Sequence, residues 1–245
     1  MIITSKQNPI IKELASLKEK RGRRERGTFL VEGSKMVSEC VKSGLEIVRI
    51  AVREDYTGET FSLPAVTLGA EAFRSVCDEK TPQGIAAEVK IPACVPVAPK
   101  GRCLFLDGVS DPANVGAIIR TAVAAGYEEI YLAACADPFS PKAVRASMSG
   151  VFYAKLMQGT RDELLGVLGD VALIAADMDG ENVFDFTPPQ KFCIAIGNEG
   201  NGLSSEVLRL AKYTVKIPMD ARTESLNAAV SAGIMMYQLN AKSQQ

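Results

Sequence analysis

From Cys103 onwards, short apolar segments alternate with segments of helical periodicity, and this alternation constrains the possible fold more than any other feature. The apolar segments are rich in Val, Ile, Leu and Ala, the composition of strands buried on both faces. Repeated strand and helix units favour a mostly parallel sheet covered by helices. Ligands of such sheets bind outside the carboxyl ends of the strands, so a functional site is expected there.

The predicted elements of this part can be given by number. The strands are 103–106, 129–133, 153–157, 172–176, 192–196 and 213–217, and the helices are 114–125, 141–148, 161–168, 204–211 and a last one near the end. The chain thus belongs to the α/β class.

A proline-rich segment, residues 91–101, resists both helix and central strand and is the predicted linker. It separates a front domain, residues 1–95, from a second domain, residues 100–245, and both have ordinary domain sizes. The front domain also mixes helical and strand patterns, which predicts a small α/β unit.

The net charge of -1 hides an uneven distribution of charge along the chain. Residues 1–35 carry nine Lys or Arg against four Glu. Six of these cations lie in residues 18–27, which form either a solvated charged turn or an RNA-binding segment. We favour RNA because a catalytic-looking domain follows. The candidate RNA-binding residues are Lys18, Lys20, Arg21, Arg23, Arg24, Arg26 and Lys35.

Composition excludes several classes of chemistry. The chain has no histidine, the commonest general base and metal ligand, and no metal is expected. Its six cysteines show no CxxC spacing and no signal peptide is recognisable, so we expect reduced thiols in a cytoplasmic protein. Its apolar segments are too short to span a membrane.

The first predicted strand ends in a turn crowded with polar residues, and the following helix carries Asn114 and Arg120. An arginine among apolar neighbours needs an anionic partner or a route to water. On the sequence alone, we expect a structural salt bridge in preference to a functional role.

A second strand end opens into the segment IGNEGNGLS, residues 196–204, with Glu199 among three glycines. Glycines let the backbone approach a ligand, although a tight turn by itself also needs them. Their spacing fits neither the dinucleotide fingerprint nor the phosphate-binding P-loop.

A third strand leads into a polar loop that offers Thr223, Ser225 and Asn227 as helix caps. The helix that follows begins with Ala, Ser and Gly, whose small side chains let another backbone come close. The strand end, turn and capped helix are typical of a ligand site in an α/β domain.

Together the segments NVGAIIRTA, IGNEGNGLS and IPM followed by ESLN resemble the three motifs of the SpoU (TrmH-type) RNA 2′-O-ribose methyltransferases of the SPOUT superfamily. The segment SPKAVRASMSGVF resembles the helix that links the motifs. The segments TSKQNPIIKEL and GTFLVEG resemble the substrate-binding domain often found in front of it, with a ribosomal-protein-like RNA-binding fold.

The resemblance implies a deep trefoil knot near the C-terminus, S-adenosylmethionine as cofactor, RNA as substrate and a homodimer in which both subunits shape each active site. Periodicity alone would argue against a knot, because knots are nearly absent from proteins. Ribosomal RNA is favoured over transfer RNA by family analogy.

The resemblance also implies the roles of individual residues. Those expected to bind the cofactor are Ile196, Gly197, Gly200, Ile217, Met219 and Leu226. The functional side chains are expected to be Asn114, Arg120, Glu199, Ser225 and Asn227.

The implied reaction is an in-line attack of a ribose 2′-hydroxyl on a sulfonium methyl group, which requires positioning and removal of the hydroxyl proton. The high pKa of arginine opposes the family proposal that Arg120 is the base. Arg120 therefore either binds the RNA phosphate and orients the 2′-oxygen, or acts as base once its proton is displaced.

The sequence departs from the family pattern at Asp220 and Ala221, where many members have Pro and Gly. If the turn requires a positive φ at this position, alanine is less favourable there than glycine. The affinity for the cofactor is then the property that the substitution would lower. The alternative function is a non-catalytic RNA-binding or ribosome-associated factor that keeps the fold.

Overall fold

The computed structural model describes residues 1–223 and 225–243. Glu224 of the ESLN segment lies outside the described residues. The first part of the chain forms one five-stranded sheet with four helices. Its elements are β1 (Ile2–Ile3), α1 (Pro9–Ser16), α2 (Lys20–Arg26), β2 (Thr28–Glu32), α3 (Ser34–Ser43), β3 (Ile47–Arg53), β4 (Ala65–Leu68), α4 (Ala70–Val76) and β5 (Ile85–Lys90).

This first sheet is mixed. Its strand order is β1-β4-β3-β5-β2, and β5 runs antiparallel to both β2 and β3, whereas β4 runs parallel to β1 and β3. The expected small α/β unit is therefore present.

The basic segment forms a helix, α2, and not the charged turn that we considered. Gly27 ends it in the left-handed conformation with φ of 64° and donates its N–H to the Arg23 carbonyl. Gly22 lets α2 lie against α1, because a Cβ at Gly22 would lie 2.1 Å from the Ser16 carbonyl oxygen. One face of α2 thus packs inward while the other stays in solvent.

The second part of the chain forms a six-stranded sheet with further helices. Its elements are β6 (Cys103–Asp107), α5 (Pro112–Ala124), β7 (Glu129–Ala133), α6 (Pro141–Ser147), a 3-10 helix (Met148–Phe152), β8 (Lys155–Gly159), α7 (Arg161–Leu168), β9 (Ala172–Asn182), β10 (Phe192–Ile196), α8 (Ser205–Leu210), β11 (Tyr213–Lys216) and α9 (Ala228–Ser243).

All strand pairs of this second sheet are parallel, in the order β11-β9-β10-β6-β7-β8, which confirms the predicted parallel sheet. Strand β9 extends six residues beyond its predicted end at Ala176, because its second half pairs with β11 after a bulge between Thr214 and Val215. The trefoil knot stays a prediction.

An apolar core joins the two sheets. One cluster of buried residues contains Phe29 and Val31 of β2 together with Leu104 of β6 and Ile119 of α5. Residues 91–101 form neither helix nor strand between the sheets. No helix among the described residues is long and apolar enough to cross a membrane.

Candidate functional site

A cavity of about 250 Å³ opens beside the middle of β9, the carboxyl ends of β10 and β11 and the start of α9. This is the edge of a parallel sheet at which ligands bind. The residues that line it are Ala176, Asp177, Met178, Ile196, Gly197, Asn198, Glu199, Gly202, Lys216, Ile217, Met219, Ser225, Leu226, Ala228, Ser231 and Met235.

Five of the six residues expected to bind the cofactor line this cavity: Ile196, Gly197, Ile217, Met219 and Leu226. Gly200 is not among the lining residues. It is exposed at the tip of the glycine loop and donates its N–H to Asn198 Oδ1 over 2.9 Å. Gly202 contributes to the cavity wall instead, so we remove Gly200 from the candidate set.

The glycine loop, residues 197–202, is closed by backbone and side-chain hydrogen bonds. Asn198 and Gly202 exchange two backbone bonds of 2.9 and 3.0 Å, and Asn198 Nδ2 donates to the Gly108 carbonyl over 2.8 Å. A Cβ at Gly197 would lie 2.3 Å from the Gly202 carbonyl carbon. Gly197 is therefore required by close backbone approach. Asn198 organises the loop although sequence reasoning did not select it.

Three predicted side chains from distant segments form one hydrogen-bonded chain beside the cavity. Asn114 Nδ2 donates to Glu199 Oε1 over 2.6 Å, and Asn227 Nδ2 donates to Asn114 Oδ1 over 2.9 Å. Asn227 Oδ1 also accepts from Ala229 N and Val230 N, so Asn227 caps α9. Of the three possible caps, Asn227 fills this role, while Ser225 lines the cavity.

Arg120 lies apart from the hydrogen-bonded series Asn227–Asn114–Glu199. Six residues of α-helix place it about 9 Å along α5 and about 120° around it from Asn114. The Arg120 side chain is exposed, and within the described part of the chain it makes no hydrogen bond or ion pair. The expected structural salt bridge is therefore not formed with any described residue: Arg120 reaches water instead, and its guanidinium is available to an anion.

Helix α5 is anchored at both its start and its middle. Asp111 caps it by accepting from Ala113 N over 3.0 Å, and Lys142 Nζ lies 2.7 Å from the same carboxylate. The hydrogen bond from Lys142, with that from Ala113 N, lowers the pKa of Asp111. A Cβ at Gly116 would lie 2.3 Å from the Ala143 carbonyl oxygen, so α6 packs directly on the α5 backbone.

Buried Asp107, at the end of β6, braces the far side of the glycine loop. Its carboxylate accepts from Arg161 Nε over 2.6 Å and from Ser204 N over 2.7 Å. The hydrogen bond to Asp107 raises the pKa of Arg161. Sequence reasoning noted Asp107 only as part of a polar turn, because its partners are far away in the chain.

The turn at Asp220 and Ala221 adopts a conformation open to any residue. Neither has a positive φ among the described residues, so the alanine is not strained. Asp220 Oδ1 accepts from Arg222 N over 3.0 Å and from Arg222 Nε over 2.8 Å. The Arg222 guanidinium lowers the pKa of Asp220 and compensates its charge.

The predicted RNA-binding cations divide into two groups. Lys20, Arg21 and Arg24, with Glu25, border a shallow open cleft on the outer face of α2. Arg21 also pairs with Glu25, one turn further along the helix, and this hydrogen bond raises the pKa of Arg21. Lys35 is exposed on α3.

Arg23 is buried, and Arg26, although 27% exposed, is held by internal carboxylates, so both are corrections to our prediction. The Arg23 side chain is 4% exposed and pairs with Asp137. Arg26 Nη2 lies 3.1 Å from buried Glu88 and 3.2 Å from Glu13. Lys18 Nζ donates to the Ser75 carbonyl over 2.7 Å. Cations held by internal partners are poorly placed to bind RNA phosphates.

The lining of the cavity fits S-adenosylmethionine in its chemistry. Ile196, Leu226 and Met235 provide apolar walls for a nucleoside. Asp177 and Glu199 provide carboxylates for a cationic ligand, and Lys216 provides a cation for a carboxylate. Sequence reasoning missed Asp177, which directly follows the predicted strand 172–176, and Lys216, which ends β11. In the described residues, no group of three or more His, Cys, Asp or Glu could hold a metal ion.

Two protein-family models match the chain. The model described as SpoU rRNA Methylase family matches residues 101–237, and the model described as MRM3-like substrate binding domain matches residues 8–87. The chain is 30% identical over 244 residues to the 23S rRNA (guanosine(2553)-2'-O)-methyltransferase RlmP of Bacillus subtilis (strain 168), covering 97% of this chain and 98% of that protein.

Solved structures with the same fold include two that contain AdoMet, which is S-adenosylmethionine. The AdoMet-bound rRNA methyltransferase from Sinorhizobium meliloti matches with a TM-score of 0.88 and 27% identity, over 98% of this chain and 97% of that chain. The SpoU methyltransferase AviRb from Streptomyces viridochromogenes, in complex with AdoMet, matches with a TM-score of 0.87 and 26% identity, over 98% and 99%. From its motifs, its parallel sheet and these matches, the chain belongs to the SpoU rRNA methylase family.

Proposed function

We propose that this protein is an S-adenosylmethionine-dependent RNA methyltransferase that acts on a ribose 2′-hydroxyl, with ribosomal RNA as its substrate. The observation that carries the proposal is the chain of hydrogen bonds Asn227–Asn114–Glu199 beside an apolar cavity. Family membership supports the reaction, and the similarity to the 23S rRNA methyltransferase of Bacillus subtilis supports the ribosomal substrate.

Residues of the cavity would hold the cofactor, with Ile196, Ile217, Met219 and Leu226 against its nucleoside. When bound, S-adenosylmethionine supplies a methyl group on a sulfonium that is open to nucleophilic attack. Asp177 and Glu199 place negative charge in the cavity, which favours a cationic ligand over its neutral product.

The surrounding side chains position the ribose. Asn114 holds the Glu199 carboxylate at 2.6 Å, while Ser225 and Asn227 order the turn that leads into α9. Arg120 binds the RNA phosphate and orients the 2′-oxygen, since an arginine guanidinium stays protonated in proteins and is therefore a poor base. Holding the hydroxyl in line for attack lowers the entropic part of the barrier.

A homodimer with shared active sites explains the separation of Arg120 from Asn114. On α9, Val230 is 50% exposed and Tyr237 is 56% exposed, seven residues apart on one face. Thr121, which follows Arg120 on α5, packs against Gly233 of α9. An exposed apolar face of this kind favours a subunit interface, which would carry Arg120 to the partner's cavity.

Mixing two inactive variants tests the shared site. Arg120→Ala and Glu199→Gln subunits, unfolded together and refolded, would form mixed dimers with one intact site, so part of the activity returns. If activity stays at the level of the separate variants, each subunit works alone.

The RNA surface comprises the outer face of α2, with Lys20, Arg21 and Arg24, and Lys35 on α3. These exposed cations would bind phosphates and make the affinity dependent on salt. We propose a cytoplasmic location, because ribosomal RNA, the proposed substrate, is found there. The knot implied by the family also belongs to this proposal.

Two measurements separate the enzyme from a non-catalytic RNA-binding factor. Calorimetric titration with S-adenosylmethionine should show binding at one site per chain, and labelled cofactor should transfer its methyl group to ribosomal RNA. RNA binding without cofactor binding would favour the non-catalytic factor. Mapping the 2′-O-methyl marks lost from total RNA in a deletion strain identifies the nucleotide.

A further inference from the structure

Helix α2 carries both solvent-exposed cations and a buried one. At 100° per residue, Lys20, Arg21 and Arg24 fall within an arc of about 100°, and Arg23 lies outside this arc, about 60° from Lys20 and about 160° from Arg21. The outer residues border the open cleft, whereas Arg23 is almost completely buried. The same helix therefore carries a solvent-facing basic surface and one buried guanidinium.

The buried guanidinium of Arg23 bonds to two parts of the protein. Nε and Nη2 donate to Asp137 Oδ2 over 2.8 and 2.6 Å. Nη1 donates to the carbonyls of Leu17 and Lys18, just after α1, over 2.8 and 2.9 Å. Arg23 thereby joins the end of α1 and the middle of α2 to the loop that follows β7.

Asp137 also shapes the loop in which it lies. Its Oδ1 accepts from Phe139 N over 2.9 Å, and its carbonyl accepts from Ser140 N over 3.1 Å. Ser140 caps α6. The Phe139 ring packs on Phe29 of β2 with centroids 5.0 Å apart, so an aromatic contact crosses the interface beside the ion pair.

Helix α6 in turn lies directly on α5, because Gly116 leaves no side chain between the helices. Helix α5 carries Asn114 and Arg120. A continuous series of short contacts thus runs from the RNA-facing helix α2, through Arg23, Asp137 and α6, to the helix of the active site.

We propose that Arg23 and Asp137 are positioning residues: their buried ion pair sets the position of the basic face of α2 relative to α5, and so determines which ribose of the bound RNA reaches the active site. This inference rests on the proposed methyltransferase function. Neither residue lines the cofactor cavity or the open cleft, so the pair acts through the helices.

The principal variant is Asp137→Asn, which keeps the side-chain shape and removes the charge. We expect its affinity for S-adenosylmethionine to change by less than about twofold, because the sites share no residue. With RNA saturating, kcat should fall by about 100-fold, as expected for a misplaced substrate, while KM for RNA changes little. Methylation should also spread to neighbouring nucleotides of the ribosomal RNA.

Two further variants separate positioning from folding. Arg23→Lys keeps the charge and should retain more activity than Arg23→Met. Arg145→Met is the matched control: Arg145 pairs with Asp78 and Glu79 across the same interface, but its side chain is 36% exposed. It should keep both kcat and the methylated nucleotide. Thermal melts give the folded fraction of each variant.

The outcomes are distinct. If Asp137→Asn loses activity only in proportion to its folded fraction, or keeps wild-type kcat and the same methylated nucleotide, the positioning role is overturned. If wild-type protein binds no cofactor and methylates no ribosomal RNA, the proposed function itself fails, and that result is obtained before any variant is compared.

Discussion

The side-chain amide of Asn114 donates to the carboxylate of Glu199 across 2.6 Å, although 85 residues separate them. This bond fixes the carboxylate beside the cavity and joins α5 to the glycine loop. The oxygen of the same amide, Asn114 Oδ1, accepts a hydrogen bond from Asn227 Nδ2. One asparagine therefore connects the three motif segments.

Replacing Asn114 by Asp tests that connection. The variant keeps the acceptor for Asn227 but places a second carboxylate against Glu199. A lost hydrogen bond to a charged group costs about 1.5–3 kcal/mol, so we expect kcat/KM to fall about 10- to 100-fold. Because like charges raise the pKa of the pair, lowering the pH from about 8 to 6 should recover activity in this variant. Asn114→Ala should lose activity and should not recover it at lower pH. If Asn114→Asp and Asn114→Ala show the same pH profile, repulsion between the two carboxylates is not the explanation.

Arg120→Ala should abolish methyl transfer, which means a fall in its rate of at least about 100-fold, because the variant lacks the guanidinium that orients the ribose. Cofactor affinity measured by calorimetry should stay nearly unchanged, since Arg120 is assigned to the RNA phosphate and the ribose and not to the cofactor. The control is Arg209→Ala, which removes an exposed cation from α8. Full activity of Arg120→Ala would show that its role is wrongly assigned.

Gly197→Ala should abolish cofactor binding in the calorimeter. The added methyl group would meet the Gly202 backbone at 2.3 Å and force the loop open. Gly166→Ala in α7 is the matched control, because nothing lies within 4 Å of its added Cβ. That control should bind the cofactor normally and be more stable by about 0.5–1 kcal/mol, as for glycine replaced inside a helix. Normal binding by Gly197→Ala would mean that the loop tolerates the methyl group.

Asp111→Asn should reveal a pH-dependent contribution to stability. Asparagine keeps the cap on α5 but loses the ion pair with Lys142, so we expect a loss of about 0.2–1 kcal/mol at neutral pH. The pKa of Asp111 is lowered on folding, so its contribution is present above its ordinary value of 3.8 and disappears as the pH falls through the folded value. Melting temperatures of the two proteins should therefore converge in acid. A constant difference across the pH range would exclude this ion pair as the cause.

Replacing Lys20, Arg21 and Arg24 together by Gln should weaken RNA binding and reduce its salt dependence. Three lost phosphate contacts lower the slope of log K against log salt by about 2–3. Filter binding between low and moderate salt measures the slope. The matched control replaces three exposed lysines elsewhere, Lys42, Lys90 and Lys191. Equal slopes for both variants would place the RNA surface away from α2.

Local patterns were sufficient for the architecture of the second domain. Apolar strand segments, helix caps and glycine turns are local signals that can be recognised within a few residues. From Cys103 onwards these signals were enough to predict the parallel sheet. Helix α5 began two residues before the predicted start, because Asp111 rather than a later residue caps it. The full length of β9 could not be predicted from its own periodicity, because its second half pairs with β11, a segment that is remote in sequence.

The basic segment shows where sequence reasoning stops. Arg23 and Arg24 are adjacent and chemically identical, yet one is buried against Asp137 and the other faces the open cleft. Their difference arises from the helical conformation of α2 and from an aspartate 114 residues away from Arg23. No local pattern could assign them to separate roles.

The sequence by itself determined the α/β architecture, the three strand-end motifs and seven of the sixteen residues that line the cavity, because periodicity, turn chemistry and family resemblance are all readable along the chain. Only the tertiary structure decided that Asn114 holds Glu199, that Arg120 faces water, and that Gly202 replaces Gly200 in the cavity wall. These features depend on distances between segments that are remote in sequence, and such distances are set when the strands and helices of the second domain pack together.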